Sequence, residues 1–591
     1  MRASYLLLAI ACGPGVSHIA NADGLPQQVS PTSADAIRVH VPKIKRPAGE
    51  TAAWWFRDGA AQAAARGAMT GRARNVILFV GDGMSLATVA AARILEGQQK
   101  GGPGEEHRLA WEGFPATALS KTYNTDSQTP DSAGTMTAMA TGIKTRRGVL
   151  AIGQAATRGK CAEAAAEQVL TLWELAASTG MATGVVTTTR VTHATPAAIF
   201  AHSPDRGWEN DAQLPEAARA AGCVDIARQL VDTPFVRGFD VLMGGGRQAF
   251  MPASQRDPEY DDKVGGRLDG RDLTAEWKRR HPGGVYAWNR RMFEAADTTK
   301  PLLALFEPGH MQFEHDRPRD AAGEPSLAEM TRAAITRLAR NQRGYVLLVE
   351  AGRIDHAHHH GNAYRALTDT VAMSDAVRAA VAATSLDDTL ILVTADHAHT
   401  LTFAGYPARG NPILGKVRGA GGDDDRGQLA IDGTGLPYTT LGYANGPGYA
   451  GASSAQPAGP KRFLHPGKEY VAAASRPDLR AVDTEVPDYL QESTMPLADE
   501  THGGDDVGVW ATGPGSHAVR GSLEQNAIFH LMLQATPRLR AALCAKGGCD
   551  TNGVPVALPD PAAFMAPADR ARTAWPAPGR PPQTAPARAL R

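Results

Sequence analysis

Five short apolar runs alternate with segments of helical pattern along much of this chain. They occupy residues 75–80, 184–188, 241–243, 345–349 and 389–394. A continuous apolar run is typical of a strand that is covered on both faces, as the strands of a parallel sheet are. Alternation of such strands with helices favours the same topology. We therefore predict an α/β fold, a three-layer sandwich with a mostly parallel central sheet, interrupted by a loop-rich insertion.

Polar side chains of metal-ligand type follow four of these runs. In chain order they are Asp82, then Arg190, His193 and Thr195, then Glu350, and finally Asp396 and His397. Ligands bind in the crevice beyond the carboxyl ends of parallel strands, so these side chains are expected at one edge of the sheet. A single Asp after a strand is usually a turn or cap residue. Four such ends rich in Asp, Glu and His indicate a metal site instead.

The densest group of these residues lies at positions 349–360. After Glu350 and a break at Gly352 the pattern becomes helical, which places Asp355 and His359 at i and i+4 on one helix face. One carboxylate and one imidazole so placed can bind a divalent cation, and zinc suits them best. Taken alone, the stretch is also compatible with a His-rich surface turn.

A second candidate site lies at Ser132. The segment of residues 129–135 precedes a helix of small residues at positions 136–140, so Ser132 is expected at or near the helix N-terminus. The helix dipole and the free N–H groups there favour an alkoxide or a bound phosphate. Asp131-Ser132 is also an ordinary helix cap. Because no His lies nearby in sequence, a metal ion would have to lower the pKa of the hydroxyl group.

The net charge and the N-terminal sequence limit the possible partners and the compartment of the protein. The 591 residues include 61 basic and 61 acidic side chains, so the net charge of +0 gives no overall field for nucleic acid or anionic membranes. Residues 1–22 have the charged start, apolar run and small-residue end of a secretory signal. No later stretch is apolar for long enough to span a bilayer. We expect an exported protein, periplasmic or secreted; a lipid anchor at Cys12 is the alternative.

The composition divides the chain into further segments. The strand-and-helix alternation fails at residues 405–497, which are crowded with Gly, Pro, Ala and Asp, and we predict a loop-rich insertion there. It separates a first α/β part, residues 23–404, from a closing part, residues 498–549. Residues 550–591 are rich in Pro, Ala and Arg, which predicts a disordered tail.

The cysteine count suggests disulfide bonds. Of the five cysteines, Cys12 lies in the predicted leader, and those that remain are Cys161, Cys223, Cys544 and Cys549. An even number in an exported chain suggests two disulfides, for which three pairings are possible.

Several longer stretches resemble the alkaline phosphatase family, more its animal branch than the compact bacterial one. They are GDGM at 81–84, ALSKTYN at 118–124, PDSAGT at 130–135, TTTRVTHATPA at 187–197, LFEPG at 305–309, VEAGRIDHAHH at 349–359, TADHAH at 394–399 and YANGPGY at 443–449. The resemblance covers roughly residues 50–550 in one register, which chance motif matching does not explain.

The resemblance implies a role for each matching residue. Ser132 would be the nucleophile that becomes phosphorylated, and Arg206 would bind the phosphate with its planar guanidinium group. The first zinc would be held by Asp355, His359 and His502, and the second by Asp82, Asp396 and His397. Asp82 would also bind magnesium together with Thr195 and Glu350, with His193 behind these ligands. Nitrogen and oxygen ligands suit zinc, and oxygen ligands suit magnesium.

Animal-type members of the family imply further features. A calcium site would use Glu259, the Phe306 carbonyl, Glu307 and Glu324, although the family usually has Asp at the last position. The disulfides would be Cys161–Cys223 and Cys544–Cys549. Residues 405–497 would correspond to the crown-like subdomain, and the protein would be a homodimer. His356 and His399 match family positions without a ligand role, and His358 and His360 are expected at the surface or behind ligands.

The implied activity is hydrolysis of phosphate monoesters to inorganic phosphate through a phosphoserine, with two zinc ions, one magnesium ion and a possible calcium ion. A related metal-dependent phosphodiesterase or sulfatase is one alternative. Sulfatases carry a Pro-x-Arg pattern after the nucleophile, whereas Ala133-Gly134-Thr135 follows Ser132 here. A non-catalytic exported metal-binding protein is the second alternative, and it would be expected to lack a ligand or the nucleophile.

Overall fold

A ten-stranded sheet runs through the computed structural model, which describes residues 50–233, 235, 238–419 and 427–565. The strand order is β15-β2-β14-β8-β1-β7-β3-β4-β6-β5. Its strands are β1 Asn75–Gly81, β2 Ala116–Lys121, β3 Ala182–Arg190, β4 Val241–Gly245, β5 Val285–Ala287, β6 Leu302–Leu305, β7 Tyr345–Ala351, β8 Thr389–Ala395, β14 Val507–Thr512 and β15 Gly521–Glu524. All neighbours pair in parallel except β14, which is antiparallel to β8 and β2. The α/β prediction is confirmed.

Helices cover both faces of this sheet. They are α1 Ala52–Ala65, α2 Leu86–Gln99, α3 Ser132–Thr141, α4 Cys161–Ala166, α5 Leu172–Ser178, α6 Ala194–Ala197, α7 Glu216–Ala220, α8 Ile226–Val231, α9 Leu273–Arg280, α10 Arg290–Glu294, α11 Leu327–Leu338, α12 Arg353–His359, α13 Ala363–Ala383, α14 Ala527–Ala535 and α15 Pro537–Cys544. No helix among the described residues combines the length and apolar character needed to cross a bilayer.

The central strands are buried because their side chains serve two cores. Val76, Leu78 and Val80 of β1 join one hydrophobic cluster, which includes side chains of α3, α5 and α14. Ile77 and Phe79, which point the other way, join a second cluster with side chains of α2, α11 and α13. Alternate side chains of a strand point to opposite faces, so a strand apolar at every position needs a layer on each side. Helix, sheet and helix layers result.

The register of the central strands aligns their carboxyl ends. Val80 lies opposite Glu350 in the β1–β7 pair, and Thr187 lies opposite the same Glu350 in the β3–β7 pair. Gly81 lies opposite Ala395 at the end of β8. Residues that follow these strands are therefore delivered to one edge of the sheet.

The predicted insertion forms little regular structure among its described residues. A three-stranded sheet joins β10 Leu401–Phe403, β11 Leu441–Gly446 and β12 Ser493–Pro496. A separate two-stranded ladder pairs β9 Ala398–His399 with β13 His502–Gly503, so that His399 lies opposite His502. This short ladder closes the insertion onto the end of β8.

Residues 550–565, the described part of the segment predicted as a disordered tail, contact the rest of the fold. Val554 is fully buried against Ala60, Ala64 and Met69, so these apolar contacts hold the segment onto α1 and the turn that follows it. Residues 566–591, like the predicted leader and Cys12, lie outside the described residues. The two disulfides are Cys161–Cys223 and Cys544–Cys549.

Candidate active site

The residues expected at the strand ends lie together at one edge of the sheet. Asp82 directly follows β1, and Glu350 is the penultimate residue of β7. Asp396 and His397 directly follow β8, and Thr195 lies in the short helix α6 beyond β3. All of these side chains are fully buried. Aligned strands thus bring together residues that are hundreds of positions apart.

One group of possible ligand atoms consists of Asp82, Asp396 and His397, whose donor atoms lie within 4.8 Å of one another. His397 Nε2 is 3.4 Å from Asp82 Oδ1 and 3.3 Å from Asp396 Oδ2. Two carboxylates and an imidazole at this spacing form a nitrogen and oxygen set of the kind that zinc binds.

A second group consists of Asp355, His359 and His502. Asp355 Oδ1 lies 3.3 Å from His359 Nε2 and 3.4 Å from His502 Nε2. His359 Nδ1 donates to the Glu500 carbonyl (2.5 Å), and His502 Nδ1 donates to the Pro130 carbonyl (2.8 Å). Since each ring uses Nδ1 as a donor, each presents Nε2 to the group, which is the orientation found in metal-binding histidines.

A third group consists of Asp82, Thr195 and Glu350. Within the part of the chain that the structure describes, both Asp82 carboxylate oxygens, Thr195 Oγ and Glu350 Oε1 are buried and form no hydrogen bond of normal geometry. Buried polar atoms normally have a partner, so this set requires an explanation. A hard divalent cation such as magnesium would satisfy all of these oxygens together.

The electrostatics of the two groups that contain Asp82 also favour a bound cation. Burial raises the pKa of Asp82 well above its usual value, and the carboxylates of Asp396, Asp355 and Glu350 raise it further. Burial also raises the pKa of Glu350 to about 7, against the effect of hydrogen bonds from Thr187 and Thr189. A cation bound among these carboxylates would reverse both effects.

Ser132 begins helix α3 beside these groups. Its Oγ lies 3.2 Å from His397 Nε2, and the residue is 1% exposed. The preceding Asp131 caps the helix by accepting from the Gly134 N–H (3.1 Å). The N-terminus of a helix stabilises negative charge, so the Ser132 oxygen lies where an anion is favoured. The structure thus supplies the neighbouring imidazole that was not found in the local sequence.

Arg206 reaches the same place from the loop after α6. Its Nη1 donates to Asp131 Oδ2 (3.1 Å), and its Nη2 donates to His193 Nε2 (3.1 Å). Asp131 therefore both caps α3 and orients Arg206. Burial, followed by the charge of Arg206, holds the pKa of His193 well below its usual value, so this ring is a neutral acceptor.

The residues expected to bind calcium lie apart from these groups. Glu259 and Glu307 approach one another, and Asp320, which the sequence analysis missed, joins them within 4.8 Å. Glu324 is buried nearby and its Oε2 has no hydrogen-bond partner within the described residues. Burial raises its pKa to about 9.

Arg247 complicates this fourth group. Its guanidinium donates to Glu259 Oε2 and to the Phe306 carbonyl, both at 2.6 Å. Both Glu259 and the Phe306 carbonyl were predicted as cation ligands, so the donor set fits a cation only in part. Asp320 offers an oxygen outside the reach of this arginine's hydrogen bonds.

Two other histidines of these motifs are buried. His358, which was expected at the surface or behind ligands, is fully buried, with Nδ1 2.7 Å from the Tyr443 hydroxyl and Nε2 3.0 Å from the Thr88 hydroxyl. His399 donates from Nε2 to Asp355 Oδ1 (2.7 Å). The family-like motif at 394–399 contains His399, but its partner Glu500 had no recognisable local signal.

A comparison with protein families decides the classification. The family profile described as alkaline phosphatase matches residues 73–537. The chain belongs to the alkaline phosphatase family. The tissue-nonspecific alkaline phosphatase of Mus musculus is 43% identical over 506 residues, which are 84% of this chain and 90% of the mouse protein. The human tissue-nonspecific isozyme is 43% identical over 474 residues, covering 79% of this chain and 84% of that protein.

Solved structures agree with this membership. The alkaline phosphatase of Thermus thermophilus superposes with a TM-score of 0.54 at 26% identity, over 79% of this chain and 92% of that one. The alkaline phosphatase of the Antarctic bacterium TAB5, at 21% identity and a TM-score of 0.51, covers 79% of this chain and 98% of its own and shares the fold. The resemblance to the animal branch is confirmed by the identity to the animal isozymes.

The chain is therefore an enzyme of the alkaline phosphatase class. Family membership supports phosphate monoesters as substrates and divalent metal ions as cofactors. The groups around Asp82 and Asp355 provide places where such ions would bind.

The raised pKa values of the buried carboxyl groups predict how metal-free protein responds to pH. A carboxyl group whose pKa rises on folding binds a proton in the folded state where the unfolded chain has lost it, so stability falls as pH rises. In excess EDTA, the contribution of Glu350 to the free energy of unfolding should therefore decrease from about pH 5 towards pH 8, through its pKa of about 7. Buried histidines with lowered pKa values, such as His193 and His397, contribute in the opposite direction, so the contribution of Glu350 is read from a comparison with a variant at this position. Urea denaturation at several pH values measures the free energy of unfolding.

Two controls accompany this measurement. Saturating Zn²⁺ and Mg²⁺ should flatten the decrease, because a bound cation favours the ionised carboxylates. Glu350→Gln should reduce the slope in EDTA, because the amide does not titrate. Equal slopes for the wild type and Glu350→Gln in EDTA would contradict the electrostatic account.

Proposed function

We propose that this alkaline phosphatase hydrolyses phosphate monoesters through a phosphoserine at Ser132, with two zinc ions and one magnesium ion. The main support is the position of the Ser132 oxygen, at the start of α3, 3.2 Å from His397 and beside Arg206 and the buried ligand groups. These features suit the transfer of a dianionic phosphoryl group to a hydroxyl oxygen.

The metal ions would occupy the three groups described above. One zinc would be held by Asp355, His359 and His502, and the other by Asp82, Asp396 and His397; magnesium would be held by Asp82, Thr195 and Glu350. Bound divalent cations supply Lewis acidity, which lowers the pKa of hydroxyl and water ligands and neutralises phosphoryl charge.

The chain's own residues then act on the phosphoryl group. Ser132 Oγ forms a bond to phosphorus while the ester oxygen departs with its bonding electrons. Arg206 binds the equatorial oxygens with two parallel N–H groups, and the Asp131 carboxylate holds its guanidinium in place. The N–H groups at the start of α3 stabilise the same charge. Attack by water then breaks the bond between Ser132 and phosphorus and releases inorganic phosphate.

The surroundings of the enzyme are part of the proposal. Two disulfides suit export to an oxidising compartment, the periplasm or the cell exterior, as the predicted leader at residues 1–22 implies. A homodimer and a structural calcium ion are carried over from the family resemblance. For calcium, the support is the convergence of Glu259, Glu307 and Asp320 with the unpaired Glu324 carboxyl oxygen.

Replacing the nucleophile tests the covalent route. Ser132→Ala should lower monoesterase activity at least about 10³-fold, because the attacking oxygen is removed. Zinc content and thermal stability should remain, since Ala suits a helix start and Ser132 is not a proposed ligand. Rapid quenching of the wild-type enzyme with ³²P-labelled substrate at mildly acidic pH should trap label on the Ser132 peptide. Label on another residue, or full activity in Ser132→Ala, would refute the mechanism.

Replacing Arg206 tests the substrate class. Arg206→Ala should lower kcat/KM for a monoester by roughly 10²-fold, the usual effect of removing one preorganised donor. A diester has one negative charge fewer, so its smaller loss should reduce the monoester-to-diester rate ratio. Arg158→Ala is the matched control, because Arg158 pairs with Asp205 next to Arg206 at the surface. An unchanged ratio in Arg206→Ala would argue against phosphate binding by Arg206.

The calcium proposal is tested at Glu307 and Asp320. Glu307→Gln combined with Asp320→Asn should abolish one bound calcium per chain in equilibrium dialysis with ⁴⁵Ca²⁺, because two anionic ligands become neutral. The calcium-dependent rise in Tm should disappear with it. Glu106→Gln combined with Asp375→Asn removes two exposed carboxylates elsewhere. This control should change neither calcium binding nor the calcium-dependent rise in Tm. Equal calcium binding in both double variants would disprove this site.

A further inference from the structure

Glu500 occupies a central position behind the group formed by Asp355, His359 and His502. It is 1% exposed although it is among the first residues of the closing part, directly after the insertion. Its Oε1 accepts from the Thr400 N–H (2.6 Å) and the Thr400 hydroxyl (2.5 Å). Its Oε2 accepts from His399 Nδ1. Both carboxylate oxygens are therefore already used inside the protein.

The contacts of Glu500 lead to two members of the ligand group by separate routes. His399, whose Nδ1 donates to Glu500 Oε2, also donates from Nε2 to Asp355 Oδ1 (2.7 Å). The Glu500 backbone forms a second connection, because its N–H donates to the His359 carbonyl (2.8 Å) and its carbonyl accepts from His359 Nδ1 (2.5 Å). One residue thereby fixes the carboxylate of Asp355 and the ring of His359.

The third member of the group follows closely in sequence. His502 is paired with His399 in the β9–β13 ladder, so a shift of Glu500 would also displace this strand. Asn445 at the end of β11 holds the intervening Thr501 through two hydrogen bonds, one to its N–H (2.9 Å) and one from the amide to its hydroxyl (3.0 Å). The insertion thus contacts the ligand group through this short segment.

Glu500 could alternatively be a metal ligand itself, since its carboxylate lies within 4.8 Å of ring nitrogens of His359 and His399. The hydrogen bonds argue against this role. Oε1 already accepts two donors and Oε2 accepts the imidazole N–H, so binding a cation would require these contacts to break. A carboxylate that orients an imidazole, which in turn orients a ligand, is the arrangement by which outer groups adjust metal affinity.

We propose that Glu500 is a positioning residue for the metal ion held by Asp355, His359 and His502, acting on Asp355 through His399 and on His359 through its backbone. The inference rests on the proposed function only in assigning a metal to that group. It predicts that one of the bound zinc ions depends on Glu500, while the ion held by Asp82, Asp396 and His397 does not.

The test measures zinc binding separately from catalysis. Glu500→Gln removes the charge and presents an amide to His399, while the backbone contacts to His359 remain. Competition with a chelator should show one zinc equivalent bound 10- to 100-fold more weakly than in the wild type, and the other unchanged. Phosphatase activity of the variant should fall at low free Zn²⁺ and recover at high Zn²⁺, with KM for the ester unchanged.

Glu96→Gln is the matched control, because Glu96 is a carboxylate that is 2% exposed and paired with Lys100 and Arg378, far from the ligand groups in its contacts. It should leave zinc affinity as in the wild type. If both variants weaken zinc equally, or if Glu500→Gln binds both equivalents within twofold of the wild type, the positioning role is refuted.

A second variant keeps the proposal testable if Glu500→Gln does not fold. Asn445→Ala leaves the carboxylate in place and removes the side chain that holds Thr501. It should weaken the same zinc equivalent several-fold, and unchanged zinc binding would contradict the role of this segment. Failure of the proposed function would look different: the wild-type protein would bind zinc tightly, show the same dependence on Glu500, and yet release no phosphate.

Discussion

Mutual repulsion among buried carboxylates is the constraint on which this structure depends. Asp82 is buried together with Asp355, Asp396 and Glu350. The charges of these three neighbours raise the free-energy cost of ionising Asp82. Burying an isolated charge costs a large desolvation free energy, so buried charged groups normally have a counter-charge that offsets this cost. Family membership implies divalent metal cofactors, and cations bound among these groups would supply that counter-charge. Repulsion among the carboxylates therefore favours cation binding, because a bound cation would relieve it.

The sheet can impose this arrangement because its centre is rigid and apolar. β1, β7, β3 and β8 have no exposed residue over most of their length, and helices pack on both faces. Close-packed cores resist displacement, so carboxylates at the strand ends cannot move apart to relieve their repulsion. Asp131 serves the same purpose at a smaller scale, because one carboxylate both caps α3 and holds Arg206.

The sequence predicts the parts of this structure whose cause is local. The strands at residues 75–80, 345–349 and 389–394 were predicted within two residues of their observed bounds, because a strand covered on both faces is apolar at every position. Strand β2 was missed: Ala116–Lys121 alternates buried small residues with the exposed Thr117, Leu119 and Lys121, a weak pattern. The antiparallel direction of β14 depends on its partners β8 and β2, which no local pattern encodes.

The same distinction applies to the site. Asp355 and His359 were placed together by helical spacing, and the family motifs supplied most other candidates. The roles of His399, Glu500 and Asp320 depend on contacts between distant segments, and the elements around them are too short to show a periodic pattern. The buried position of His358 follows from Tyr443 and Thr88, which come from other parts of the chain.

The β9–β13 ladder also makes the group of Asp355, His359 and His502 dependent on contacts between distant parts of the chain. His502 is 143 residues beyond His359, yet both belong to one ligand group. Closing so long a loop is entropically unfavourable until the elements on either side have folded. We therefore expect His502 to join Asp355 and His359 only after β7, β8 and the helices packed on them have folded. A chain that has not folded this far would lack one member of the group, so the group should be among the last parts of the structure to form.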